Sequence, residues 1–490
     1  MMRRPQWKPA NMSLLTSTAL LLGLSGVQSP IPPNVLFLFA DDQRADTLAA
    51  HGNEHIVTPA LDSLAERGFS FRNNYCMGAT QGAVCVASRA MLMTGRALYR
   101  ANGAIEQYPT LPRAFSDAGY RVYATGKWHN GAKSFTALFD EGDNLFFGGM
   151  SDHTKVIVRD KPKGAELTEP RPGGQFSSEL FADAAIEFLQ GDRDEEQPFF
   201  LYVSFTAPHD PRQPPQNWRD HYYAKRPPLP ANFMGLHPFH NGWMRGRDEQ
   251  LAAWPRTAEV VSDQLAEYYG MISHLDEQVG RILAALEASG AAENTIVVYT
   301  ADHGLAMGSH GLLGKQSVYE HSMKSPLIIA GPGVPHGESA ALTYLIDLYP
   351  TLCNAAGIAL ADGLDGADLF PIVRGEEPSV RTQLITSFED KMRGIRDERW
   401  KLIRYPLLHH TQLFDLDADP DELINLAELD EHAERVERML TDLARRQVRF
   451  DDPHPLTVEP KQPMEYDPSG WTRKADPWQP EWIRAKYFGE

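Results

Sequence analysis

The sequence predicts an α/β protein: a large, mixed but mostly parallel sheet sandwiched by helices, followed by a smaller C-terminal α+β unit with an antiparallel sheet. Three observations carry this. Four short runs, NVLFLFADDQR (34–44), YRVYATGKWHN (120–130), QPFFLYVSFTAPHD (197–210) and NTIVVYTADHG (294–304), are rich in apolar β-branched and aromatic residues. Each ends in small and then charged residues. Unbroken apolar runs of this length mark strands buried on both faces, as parallel strands are. Helix-like stretches lie between them, and strand alternating with helix is the pattern of a sheet covered on both sides. After about residue 375 the pattern changes to SFEDKMRGIRDERWKLIRY and TQLFDLDADPDELINLAE, which read as antiparallel strands with turns.

Taken in order, the elements are these. Arg3, Arg4 and Lys8 precede an apolar run from Leu14 to Leu24 and then small residues, the layout of a secretory signal over residues 1–29. The run is too short to span a bilayer comfortably, so the protein is expected to be exported, periplasmic or secreted, with no membrane anchor. The catalytic unit is placed at 30–374. Its helices are expected at Thr58–Arg67, Leu111–Ala118, Ser178–Leu189 and Ser262–Ser289. The last has Leu265, Tyr269, Ile272, Leu275, Val279, Ile282 and Leu286 at helical spacing. A further helix is expected to begin near Ser88, with Cys85 just before it. Residues 160–176 and 206–260 read as long loops, which are usually functional. The α+β unit spans 375–450 and ends in a helix from about Glu431 to Arg446. A polar tail, 451–490, is expected to wrap the surface, and its Asp451–Asp452 pair to be a solvated turn.

Composition narrows the partners. In 490 residues, 65 acidic against 47 basic side chains give a formal charge of −18. A field of that sign repels nucleic acid and anionic membrane, and an anionic substrate would need local cations to overcome it. Three cysteines cannot build a disulfide framework.

Ligands of open α/β sheets gather at the carboxyl ends of the strands. Here those ends carry Asp41 and Asp42, Lys127 and His129, His209, and Asp302 and His303. Three carboxylates together are costly without a cation, and oxygen ligands suit Ca²⁺ or Mg²⁺ better than zinc. Arg89, Lys127, Lys315, His129 and His209 could surround one tetrahedral oxyanion. Each of these residues alone has a plainer reading, a surface lysine or a loop histidine; their shared placement is what points to a site. Cys85, at the mouth of a helix, reads either as a small buried residue or as part of the chemistry.

Cys-x-x-Ser-Arg followed by MLMTGR, with ADDQR upstream and GKWH and TADHG…GK…YEHS downstream, resembles the sulfatases of the alkaline-phosphatase superfamily, in the manner of bacterial iduronate-, choline- and polysaccharide-sulfatases. The resemblance spans roughly 34–430. It implies an alkaline-phosphatase-like sheet and oxidation of Cys85 to formylglycine (3-oxoalanine) by a maturing enzyme. One hydroxyl of the hydrated aldehyde attacks sulfur and displaces the alcohol. The other then loses its proton, and sulfate leaves as the aldehyde re-forms. The resemblance also implies Asp41, Asp42, Asp302 and His303 as ligands of Ca²⁺ in preference to Mg²⁺. Arg89 would support nucleophile and metal, Lys127 and Lys315 would hold the sulfate, His129 would partner the hydrate, and His209 would protonate the leaving alcohol. Two departures stand out: Ala87 where relatives usually have proline, and His303 where many have asparagine. The substrate is expected to be a sulfated carbohydrate or a small sulfate ester, selected by the loops at 131–176 and 206–260. The alternatives are a phosphonate or phosphodiester hydrolase with the same nucleophile, or an inactive sulfated-glycan-binding relative in which Cys85 is not converted.

Overall fold

Asn34–Ala40 forms the middle of the large sheet, paired in parallel with Thr295–Ala301 on one side and Phe199–Ser204 on the other. Arg121–Lys127 lies beyond Phe199–Ser204, and Glu141–Phe146 beyond that, again parallel. On the far side of Thr295–Ala301 the order continues with Leu327–Ala330, antiparallel to both of its neighbours, and Phe69–Tyr75, which also pairs in parallel with Gly337–Tyr344. This is a computed structural model. It describes Met1 and residues 32–489 apart from 102–104, 193, 195 and 475. The expected leader therefore lies outside the described residues. No described helix is long and apolar enough to cross a membrane.

The sheet is buried on both faces, which explains its unbroken apolar runs. Val35, Phe37 and Phe39 point into one core with Met91, Leu92 and Phe115. Leu36, Leu38 and Ala40 point into the other with Leu61, Phe181 and Leu275. The helices Val84–Thr94 and Leu111–Asp117 cover the first face; Pro59–Arg67, Ser177–Gln190 and Ala258–Ala288 cover the second. The start of Pro59–Arg67 has no side-chain cap of its own. Asp276 of the long helix supplies one, accepting from the amides of Ala60 and Leu61 at 3.0 and 2.8 Å.

The smaller sheet runs His410–Asp415, Trp400–Tyr405, Met392–Arg396 and Leu384–Phe388, all antiparallel. A two-residue strand, Gly78–Ala79, adds in parallel to Leu384–Phe388 and ties this sheet to the segment just before Cys85. Gly78 is required there: at φ 104°, a Cβ would stand 1.8 Å from the Ser387 carbonyl oxygen.

Several expectations are corrected. The helix expected near Ser88 starts at Val84, so Cys85 sits inside its first turn. Nothing in 83–88 breaks a helix, and Gly82 is the last residue that does. The loop at 160–176 contributes Arg171–Pro172, paired with the strand Ile157–Lys161, and the loop at 206–260 carries the helix Gln216–Ala224. Asp452 is not a solvated turn residue. Its carboxylate is buried and accepts from Arg393 Nε and Nη2 at 2.6 and 3.1 Å, an ion pair that the mostly polar surroundings of the tail hid.

Candidate active site

The register of the central strands aligns their ends. Ala40 lies opposite Ala301, Phe39 opposite Ser204, and Ser204 opposite Gly126. The residues that follow, Asp41, Asp302 and Lys127, therefore emerge side by side. Opposite Thr125 and Gly126 the neighbouring strand Glu141–Phe146 carries one extra residue, Asn144, while Arg121–Gly126 stays in register with Phe199–Ser204. Gly126 has φ 94°, and a Cβ there would be 1.9 Å from the Ser204 carbonyl oxygen. We expect Gly126→Ala to force these strands apart and to cost about 3 kcal/mol or more. A large fall in the urea unfolding midpoint checks this; an unchanged midpoint would mean that glycine is not needed at this close approach.

All ten residues expected at the site come together, and all but His129 are at least nine-tenths buried. Lys315 Nζ donates to both oxygens of Asp42, at 2.8 and 3.0 Å, and Lys127 Nζ pairs with Asp41 Oδ2. The same ammonium groups lie 3.7 Å (Lys315) and 3.9 Å (Lys127) from Cys85 Sγ. Burial pushes the Cys85 thiol up, but these two charges prevail and hold it well below the usual thiol range. Arg89 is anchored through Nη1 to the Lys127 carbonyl, Ser204 Oγ and Tyr202 Oη, at 2.9, 2.6 and 3.2 Å. Its Nη2 lies 4.0 Å from Asp41 Oδ1. His129 is held at φ 65° beside Gly149, where a Cβ would come within 2.5 Å of its Nε2. His209 Nδ1 donates to the Asp210 carbonyl at 2.8 Å, which turns Nε2 toward Asp42 Oδ2, 3.7 Å away.

The donor set fits a hard divalent cation. One ligand atom each from Asp42, Cys85, Asp302 and His303 lie within 4.8 Å of one another. Asp302 Oδ1 is spent on the amides of Asp42 and His303, but its Oδ2 is buried without a hydrogen-bond partner. So are Asp41 Oδ1 and His303 Nε2. His303 Nδ1 donates to the Gly304 carbonyl at 3.0 Å, which leaves Nε2 facing Asp42 and Asp302, 3.6 and 3.5 Å away; burial opposes a charge on the ring, but Asp302 and Asp42 prevail and raise its pKa to about 9. The carboxylates thus draw positive charge to this point, a proton on the ring or a cation that takes the Nε2 lone pair in its place. The strain is visible at Asp302, whose carboxyl is pushed well above the usual range by burial and by the nearby Asp41 and Cys85. Two of the expected ligands are already engaged by lysines: Lys127 takes one oxygen of Asp41, and Lys315 both oxygens of Asp42.

Sequence reasoning missed the layer behind these groups. Asp210 lies behind His209. Asp248 stands 4.0 Å from Lys315 Nζ and accepts from Gln316 Nε2 at 2.8 Å. Tyr202 and Ser204 anchor Arg89. Asp210 and Ser204 at least stand at a strand end; nothing local marks Asp248.

A family model described as Sulfatase matches residues 33–358. The chain belongs to the sulfatase family. A second model, for the C-terminal part of N-sulphoglucosamine sulphohydrolase, matches 308–449 and so takes in the small sheet. This sulfatase is 30% identical to a choline-sulfatase of Rhizobium meliloti, over 81% of the chain and 82% of the relative. It is 25% identical to an N-acetylglucosamine-6-O-sulfatase of Bacteroides thetaiotaomicron, over 86% and 88%. Its fold matches a solved structure bound to D-glucosamine-2-N,6-O-disulfate, with a TM-score of 0.74 and 23% identity, covering 87% of this chain and all of that one. The protein is a sulfuric ester hydrolase with the alkaline-phosphatase-like fold expected from its motifs.

Proposed function

We propose that this sulfatase is exported and releases sulfate from a sulfated carbohydrate, with Cys85 matured to formylglycine and Ca²⁺ held by Asp41, Asp42, Asp302 and His303. The observation that carries this is the buried cluster around Cys85. Two ammonium groups stand within 4 Å of its sulfur, beside three buried carboxylates, of which Asp41 and Asp302 each keep an oxygen without a hydrogen-bond partner. Formylglycine, as its hydrate, supplies a nucleophilic oxygen and a second hydroxyl through which the sulfate can be released. The cation supplies Lewis-acid polarisation of the sulfate oxygens and lowers the proton affinity of a coordinated hydroxyl.

The chain's own residues do the rest. Lys127 and Lys315 face the position of the sulfate and neutralise its oxygens, while Asp41 and Asp42 fix where those ammonium groups point. Their burial makes each interaction stronger than it would be in water. Arg89 is immobilised by its three Nη1 partners and holds positive potential beneath residue 85. His129, beside Cys85, takes a proton from the nucleophile. His209 directs Nε2 into the cluster and gives a proton to the departing alcohol oxygen. The carbohydrate assignment is supported by the N-acetylglucosamine-6-O-sulfatase relative. The choline-sulfatase relative makes choline sulfate the comparison substrate for any panel.

Maturation is testable separately from turnover. Ala87 stands where proline usually pre-sets the extended segment that a maturing enzyme grips. A preparation from a foreign host should contain both forms, formylglycine lighter than cysteine by about 18 Da. Sulfate release should rise in proportion to the lighter form, and Ala87→Pro should increase that fraction. Peptide mass spectrometry over residues 72–89, paired with sulfate release from a panel of sulfated saccharides, reads both. Activity that is independent of the formylglycine fraction would refute the proposed nucleophile.

A further inference from the structure

The C-terminal tail does not merely cover the surface; it reaches the back of His209. The Asp210 carboxylate is almost fully buried and fully engaged. Its Oδ1 accepts from Arg247 Nη1 at 2.7 Å, and its Oδ2 accepts from Arg247 Nη2 at 2.5 Å and from Gln479 Nε2 at 2.6 Å. Asp476, also in the tail, pairs with Arg247 Nη2 from the other side. Gln479 and Asp476 are both more than nine-tenths buried, so these are interior contacts made by a terminal segment. The helix Glu481–Phe488 then pins the tail to the long helix Ala258–Ala288. Ile483 is buried, Tyr487 Oη donates to Asp263 Oδ2 at 2.6 Å, and Lys486 Nζ lies 3.1 Å from Glu267 Oε1.

The consequence falls on one ring. His209 Nδ1 donates to the Asp210 carbonyl and lies 3.3 Å from Asp210 Oδ1. The orientation of Asp210 therefore sets both the tilt of the imidazole and which nitrogen faces the cluster. A second branch of the same network runs from Arg247 Nη1 to Asp248 Oδ1 at 3.1 Å, and Asp248 in turn braces Lys315.

We propose that Gln479 and Asp476 are positioning residues for proton donation by His209: the tail locks Arg247 and Asp210, and through them the imidazole that must meet the leaving oxygen. This rests on the assignment of His209 as the donor to the leaving alcohol. Contacts of this kind act through geometry, since a misplaced donor loses much of the about 10²–10⁴-fold that general acid catalysis supplies. A poor leaving group needs that proton and a good one does not, so the effect must depend on the ester.

The experiment compares phenyl sulfate with 4-nitrophenyl sulfate on the matured full-length enzyme. Gln479→Met keeps the bulk and removes the amide donor; Asp476→Asn removes one charge, and serves if the first variant does not fold. Each should lower kcat on phenyl sulfate about tenfold and leave kcat on 4-nitrophenyl sulfate within about threefold, with KM little changed. Equal losses on both esters, or no loss on either, would overturn the proposal, because a tail that merely stabilises the fold cannot tell the esters apart. His209→Ala is the control. If it shows the ester dependence and the tail variants do not, only the tail proposal fails. If it shows none, the donor assignment fails and takes the tail proposal with it.

Discussion

Cys85→Ala is expected to fold as the parent does and to release sulfate on the order of 10⁴-fold more slowly or worse, because residue 85 is proposed to carry the bond-forming step. The substitution removes one buried sulfur atom at the first turn of Val84–Thr94 and no backbone contact. The two ammonium groups beside it keep their carboxylate partners, so no charge is left buried alone. Thermal melting should therefore move little while sulfate release collapses. Cys76 and Cys353 are the internal controls. Burial pushes both thiols up to about 12, and activity of the alanine variants should stay within a few-fold of the parent. Substantial turnover by Cys85→Ala, measured on protein free of wild-type contamination, would overturn the nucleophile.

The convergence of the site was legible because it follows from strand direction. Once 34–40, 121–127, 199–204 and 295–301 are read as parallel, their carboxyl ends must share an edge, and Asp41, Lys127, His209 and Asp302 come along. Cys85, Arg89 and Lys315 lie on no strand end; a helix start marked Cys85, and Arg89 and Lys315 entered as cations for an oxyanion, but only the resemblance gave the three their roles. What stayed hidden is of two kinds. The left-handed Gly126, Asp42 and His129 are backbone events, and a glycine in a strand or an aspartate in a turn fits many conformations. The bond from Gln479 to Asp210 spans 269 residues, and a polar residue in a proline-rich tail carries no mark of its partner. The burial of Asp452 against Arg393 was misread for the same reason.

Removal of the divalent cation by EDTA is expected to lower sulfate release on the order of 10³-fold or more, since Lewis-acid polarisation contributes several kcal/mol, and Ca²⁺ should restore it. The unfolding temperature should fall and recover in parallel, because a ligand that binds only the native state stabilises it by mass action. Asp302→Asn separates the cation from its ligands. Asparagine Oδ1 can keep both bonds that Asp302 Oδ1 makes, to the amides of Asp42 and His303 at 2.9 and 3.0 Å. Its Nδ2 replaces Oδ2, the atom that is now buried without a partner 3.5 Å from His303 Nε2. The substitution removes the Asp302 charge that most raises the His303 ring; with Nδ1 committed to the Gly304 carbonyl, the then neutral ring presents an acceptor at Nε2, and the new amide donates to it. In EDTA the variant should therefore melt at or above the wild-type temperature. With Ca²⁺ the order should reverse: wild type gains stability and activity, and the variant gains neither. This crossing is specific to a cation held among the carboxylates. A cluster that was only a structural ion-pair network would make Asp302→Asn destabilising in both conditions. Full activity in wild-type protein shown by elemental analysis to hold no metal would remove the cation from the site altogether.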